Sequence, residues 1–149
     1  MQISSRFTIA VQTLTCIEVL KENNVVNSEL ISASVGANPV IIRKIFGQLK
    51  DAGLIHVQRG GNGGVTLAKP AEDITLYDIY KAVDSVDEEG LFHFQENPSA
   101  NCPVGRNIHF VMDGRLQQIQ GAMEKEMASM SIADVIGDTE KKIEADERK

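Results

Sequence analysis

Residues 28–70 read SELISASVGANPVIIRKIFGQLKDAGLIHVQRGGNGGVTLAKP, and the order of periods within this stretch sets the architecture. Asn27 or Ser28 is a good N-cap for a first short helix, in which Leu30, Ile31 and Val35 share a face and Gly36 is the stop. Asn38 is a second cap, with Pro39 in the first turn, where a missing N–H leaves no bond unmade. The helix that follows places Ile42, Ile45, Phe46 and Leu49 on one side and closes near Gly53. Two short helices joined at a glycine, the second carrying Arg43 and Lys44 on its other side, describe a helix-turn-helix. The period then changes: Leu54–Gln58 and Val65–Ala68 read as strands, and the glycines of RGGNGG between them supply the positive φ angles of a tight turn. A helical unit followed by a β-hairpin is a winged helix, and Pro70 marks its end.

Working outward, residues 4–22 hold Phe7, Ala10, Val11, Leu14, Ile17 and Leu20 at a helical period. Past the hairpin, Leu76, Ile79, Tyr80 and Val83 predict a helix over about 75–83, with Asp73 or Thr75 near its cap. Residues 84–104 lack periodicity but contain Leu91, Phe92 and Phe94, too apolar for a free linker, so an ordered loop is expected. A long helix follows from about Gly105 to Met130. In it Met112, Leu116, Ile119, Met123 and Met127 or Met130 recur at steps of three and four, the seam of a helix pair and most simply of a homodimer. Such a stripe of methionines is core packing far more often than a metal box. Ser131–Ile136 reads as a short packing segment and the densely charged residues 137–149 as a frayed end. The expected fold is mainly α with a small β-hairpin wing: a winged helix-turn-helix domain over residues 1–70, then an effector loop and dimerisation helices over 71–149.

Composition narrows the function. With 149 residues, two cysteines and no apolar run of membrane-span length, the chain reads as a cytoplasmic protein without a disulfide framework or a membrane partner. The opening residues have neither the basic flank nor the apolar block of a signal peptide. Residues 1–70 hold seven basic and four acidic side chains, +3, whereas residues 71–149 hold eight and seventeen, −9. Only the first part suits a polyanion such as double-stranded DNA. There, Asn38, Val40, Arg43 and Lys44 lie on the exposed side of the second helix of the motif, where Arg and Asn read base edges. Arg59 stands at the entrance of the wing, where Gly60 and Gly61 let backbone approach phosphate. Catalysis finds no support: His56, His93 and His109 lack ligand partners at i+3 or i+4, and there is no nucleophile elbow. The acidic cluster Asp84, Asp87, Glu88 and Glu89 reads as a solvated loop. A protein-interaction or thiol-sensing module without DNA binding is the rival, favoured by the modest +3 and the apolar Val40 and Ile41. Steep loss of binding with salt separates the two.

The segment from Lys44 to Asp84, KIFGQLKDAGLIHVQRGGNGGVTLAKPAEDITLYDIYKAVD, with the helix at the N-terminus, resembles the Rrf-two family of bacterial winged-helix regulators, whose members include iron–sulfur and cysteine-metabolism regulators. The most specific parts are the Leu49–Leu54 junction, the Arg-Gly…Gly-Gly wing and the helix beyond it; ENPSANCPVG (96–105) further resembles the YwnA-like subgroup. The resemblance implies a dimeric DNA-binding regulator, usually a repressor, with DNA contacts at Asn38, Pro39, Val40, Arg43, Lys44 and Arg59. Cluster-binding members resemble one another in having three cysteines before the long helix, whereas this loop offers only Cys102. An iron–sulfur cluster is therefore not expected, nor any other cofactor or metal. Cys102 is a candidate redox sensor, its thiol close to a helix N-terminus that favours the thiolate; the alternative is a small buried residue at the loop–helix junction. The effector is unknown, and a small molecule under the loop at His93 and Phe94 is equally open.

Overall fold

Side-chain caps decide where most of the helices begin. The computed structural model describes residues 5–60, 63–83, 90–92 and 98–149, so Gly61, the acidic cluster at 84–89, and His93 and Phe94 lie outside the described residues. In chain order the elements are α1 (Arg6–Leu20), α2 (Ser28–Val35), α3 (Pro39–Asp51), β1 (Ile55–Val57), β2 (Val65–Leu67), a 3-10 turn (Ala71–Asp73), α4 (Leu76–Ala82), α5 (Pro103–Ala128) and α6 (Ile132–Glu147). Asn27 caps α2 by accepting the Leu30 N–H at 2.9 Å, and Gly36 closes it in the left-handed region at φ 77°. Thr75 and Asp78 form a reciprocal capping box at the start of α4, and Ser131 and Asp134 form another at the start of α6. These two starts lie side by side: Thr75 and Ser131 form an antiparallel bridge, the Leu76 N–H donates to Met130 O at 2.9 Å, and the Ile132 N–H donates to Ile74 O at 2.7 Å.

The core is aliphatic, as a chain without tryptophan requires. Leu14, Ile17, Ile31, Ile42, Ile45, Leu49, Ile55, Ile74, Ile79 and Ile132 are all but fully buried. The central element is α1, which packs against α2, α3, α4, α6 and β2. Its buried belt is consequently wider than the predicted stripe and takes in Thr13, Thr15 and Cys16. The two threonines satisfy their hydroxyls on their own helix, donating to Ile9 O and Val11 O at 2.8 Å each. In α2 only Ile31 is fully buried; Leu30 and Val35 pack half-buried against the same core.

The predicted hairpin is present, with His56 opposite Thr66 in an antiparallel pair. Its turn needs glycine: Gly60 has φ 115°, and a Cβ on Gly63 would stand 2.2 Å from Gln58 O. The Val65 N–H also donates to Val26 O at 2.9 Å, which ties the wing to the segment before α2.

The C-terminal part departs from expectation in two places. The long helix α5 starts at Pro103 rather than near Gly105, because Pro103 suits its first turn. Residues 137–147, expected to fray, are instead the body of α6. Ile132 and Ile136 are buried with Val135 packed beside them, and the helix lies along α1. The core therefore continues across the turn at residue 70.

Candidate nucleic-acid interface

The turn between α2 and α3 is short and tightly bonded. The Gly36 N–H donates to Ser32 O at 2.9 Å, and the Ser32 hydroxyl donates to Ala37 O. Asn38 then caps α3, its Oδ1 accepting the Val40 N–H at 2.8 Å. With Ile42, Ile45, Phe46 and Leu49 facing the core, the opposite side of α3 shows Val40 (65% exposed), Ile41 (42%), Arg43, Lys44 and Lys50 to solvent. Arg43 makes one long hydrogen bond, from Nε to Pro39 O at 3.3 Å, on its own helix. Arg59 and Gly60 are exposed at the described end of the wing.

The electrostatic state of these cations matters more than their number. Among the described residues Lys21 pairs with Glu18 and Lys142 with Asp146, and His109 Nδ1 lies 3.5 Å from Asp113 Oδ1. Arg43, Lys44 and Arg59 have no carboxylate partner among the described residues, so their charge is available to a polyanion. Asn38 differs from the other sequence-predicted contacts, because its carbonyl oxygen is already the helix cap. Reading an adenine with both amide atoms would have that oxygen shared between the cap and the base, through its second lone pair.

The residues chosen for the seam lie on α5, which packs on α4 and has no fully buried residue. Met112, Leu116, Met123 and Met127 are half-buried and Ile119 is 52% exposed. Sequence reasoning missed a second apolar group on the same helix: Phe110 is 93% exposed, with Val104 and Val111 exposed nearby. The signal was in the sequence, as apolar residues off the chosen stripe.

The two cysteines differ sharply. Cys102 is exposed at the N-cap of α5, and the Gly105 N–H, with a smaller contribution from the Val104 N–H, holds its thiol pKa below the ordinary value. Cys16 is buried in α1, with Sγ 3.4 Å from Ser34 Oγ.

Residues 3–138 match the model of the Rrf2 family, described as an iron-dependent transcriptional regulator. The chain belongs to the Rrf2 family. This is a family of transcriptional regulators rather than of enzymes. The chain is 38% identical over 134 residues to YwnA of Bacillus subtilis (strain 168), by name a candidate HTH-type transcriptional regulator, across 90% of this chain and 96% of that protein. A solved candidate DNA-binding protein is 36% identical, with a TM-score of 0.69 over 89% of this chain and 99% of its own. IscR of T. potens shares the fold at 20% identity, with a TM-score of 0.68 over 93% of this chain and 88% of its own. The iron in the description of the Rrf2 family is a separate matter. Among the described residues no three His, Cys, Asp or Glu side chains converge. The chain has two cysteines, one buried in α1 and the other exposed at the start of α5. That donor set does not fit a cluster held by several thiolates.

Proposed function

We propose that the protein is a homodimeric DNA-binding transcriptional regulator, acting as a repressor that occludes a palindromic promoter site. In this reading α3 enters the major groove with Asn38, Pro39, Val40, Arg43 and Lys44 foremost, while Arg59, Gly60 and Gly61 of the wing meet the minor groove or its phosphates. The supporting observation is that Arg43, Lys44 and Arg59 are exposed and free of carboxylate partners among the described residues, on a helix and hairpin held by a buried core. Val40 and Ile41, exposed beside them, suit the methyl group of thymine. Pairing of two copies through α5, along Met112, Leu116, Ile119, Met123 and Met127, presents two such helices to the two halves of a palindrome. The acidic balance of residues 71–149 keeps the rest of the molecule off the duplex.

Selection from a random duplex pool tests this, run with the wild-type protein and with Arg59→Ala. The expected outcome is enrichment of one palindrome by the wild type and a looser or lost consensus with the variant. Absence of any enrichment at low salt sinks the reading and turns the search to a protein partner.

A further inference from the structure

A cavity of about 420 Å3 opens between α1, the last turn of α2 and α6, away from the exposed face of α3. Its volume lies within the range of small-molecule sites. Val11, Val135 and Ile143 are among its apolar walls, and among the described residues no charged side chain lines it, which suits an uncharged molecule. Thr8, Thr15 and Thr139 also line it, but each donates its hydroxyl proton to a carbonyl of its own segment, Ser5 O, Val11 O and Val135 O respectively. The polar end is formed by Gln12, Cys16 and Ser34. Gln12 Nε2 donates to Ser34 O at 3.0 Å and lies 3.1 Å from Ser34 Oγ, and Cys16 Sγ lies 3.4 Å from that same hydroxyl. These bonds engage the Gln12 amide through its nitrogen and leave its carbonyl oxygen as an acceptor.

Ser34 also belongs to the pivot of the motif. It stands two residues before Gly36, whose left-handed conformation turns the chain from α2 into α3. A molecule seated against Gln12 and Ser34 therefore lies two residues before the turn into α3.

We propose that this cavity is an effector site for a small uncharged molecule with an apolar body and one hydrogen-bond donor, held by Gln12 and Ser34. Its occupancy is transmitted through Ser34 to the turn between α2 and α3. The consequence for DNA rests on the regulator reading above; binding itself and its effect on the turn do not.

The test uses the full chain carrying Cys102→Ser, which leaves Cys16 as the sole thiol, and N-phenyl-1-naphthylamine, a neutral apolar fluorophore with one N–H. The expected result is saturable binding of one probe per chain, with alkylation of Cys16 by N-ethylmaleimide slowed and amide exchange over residues 34–38 altered at saturation. Thr139→Trp fills the cavity from α6 and should abolish binding with the melting temperature retained. Gln12→Leu keeps the shape and removes the acceptor, so binding should weaken about fivefold, the value of one hydrogen bond. Absence of saturable binding, or undiminished binding by Gln12→Leu, overturns the site. Binding that leaves the amides of 34–38 unchanged overturns the transmission. Failure of the wild-type protein to select any duplex would remove the regulator reading and leave these measurements to judge the cavity alone.

Discussion

Arg43 and Lys44 are neighbours on α3, both exposed and without carboxylate partners among the described residues, yet they should behave differently in a binding assay. A guanidinium can bond a guanine edge in two places, whereas an ammonium meets phosphate as a point charge. Arg43→Ala is expected to cost about 1–3 kcal/mol at the selected site and to relax its preference at one position, read by competition against single-base variants. Lys44→Ala should weaken all duplexes alike and reduce the salt slope by about one. An Arg43→Ala protein with unchanged affinity and preference would show that another face reads the bases. Asn38 marks how far residue-level reading went. Its place before Pro39 identified the cap, but one side chain suited both cap and base contact, and only the 2.8 Å bond to the Val40 N–H shows that its oxygen is already engaged. The cysteines make the same point. No periodic stripe included Cys16, because its burial comes from α1 being packed on several sides. For Cys102 the depressed pKa means a larger thiolate fraction than an ordinary thiol at neutral pH, falling as the pH drops through that pKa. Iodoacetamide should therefore label Cys102 before Cys16 at neutral pH, with a rate midpoint below that of a free thiol. Equal rates for the two, or a midpoint at the free-thiol value, would remove Cys102 as a candidate sensor.

Among the elements, those with strong punctuation were legible. Asn27, Gly36, Asn38, Pro39 and the wing glycines each impose a backbone geometry, and α2, α3 and the hairpin fall where those residues put them. The misjudged element was α6. Its acidic and basic residues hid a series at helical spacing, Ile132, Ile136 and Ile143 with Thr139 between them. What the series lacked in the sequence was its partner, since α1 lies more than a hundred residues away and the pairing is purely tertiary. A local signal was nonetheless present: Ser131 followed three residues later by Asp134 has the spacing of the reciprocal box observed. Ser131→Ala removes the acceptor of the Asp134 N–H and should lower stability by about 1 kcal/mol. Helical signal should be lost from α6 first. Urea denaturation and amide exchange over residues 132–147 check this, and an unchanged midpoint with unchanged exchange would mean that packing on α1 holds the helix start without its cap.

At the scale of the whole molecule, the unresolved burial is on α5. A helix of 26 residues with no fully buried side chain gains little from its own fold, and contact with α4 leaves Ile119 and Phe110 largely in water. An apolar face of that kind is expected to be closed by another surface, and a second copy of the same helix is the simplest one that symmetry supplies. Two routes for that pairing differ in where it is centred: the predicted stripe through Ile119, or the neighbouring group at Phe110. Ile119→Glu separates them. On the stripe route two glutamates face each other in the interface, since a twofold axis brings each patch against itself, and the dimer should dissociate into folded monomers. Because the winged helix draws its core from α1, α3, β1 and α4 rather than from α5, its melting transition should survive at low concentration. DNA binding should then fall from two half-sites to one, with the affinity for a palindrome reduced to that for a single half-site. Sedimentation equilibrium at micromolar concentration, paired with duplexes carrying one or two half-sites, reads both effects. A wild-type monomer rejects dimerisation through α5 altogether; a dimeric Ile119→Glu protein, alongside a monomeric Phe110→Glu protein, moves the interface to the Phe110 side of the helix.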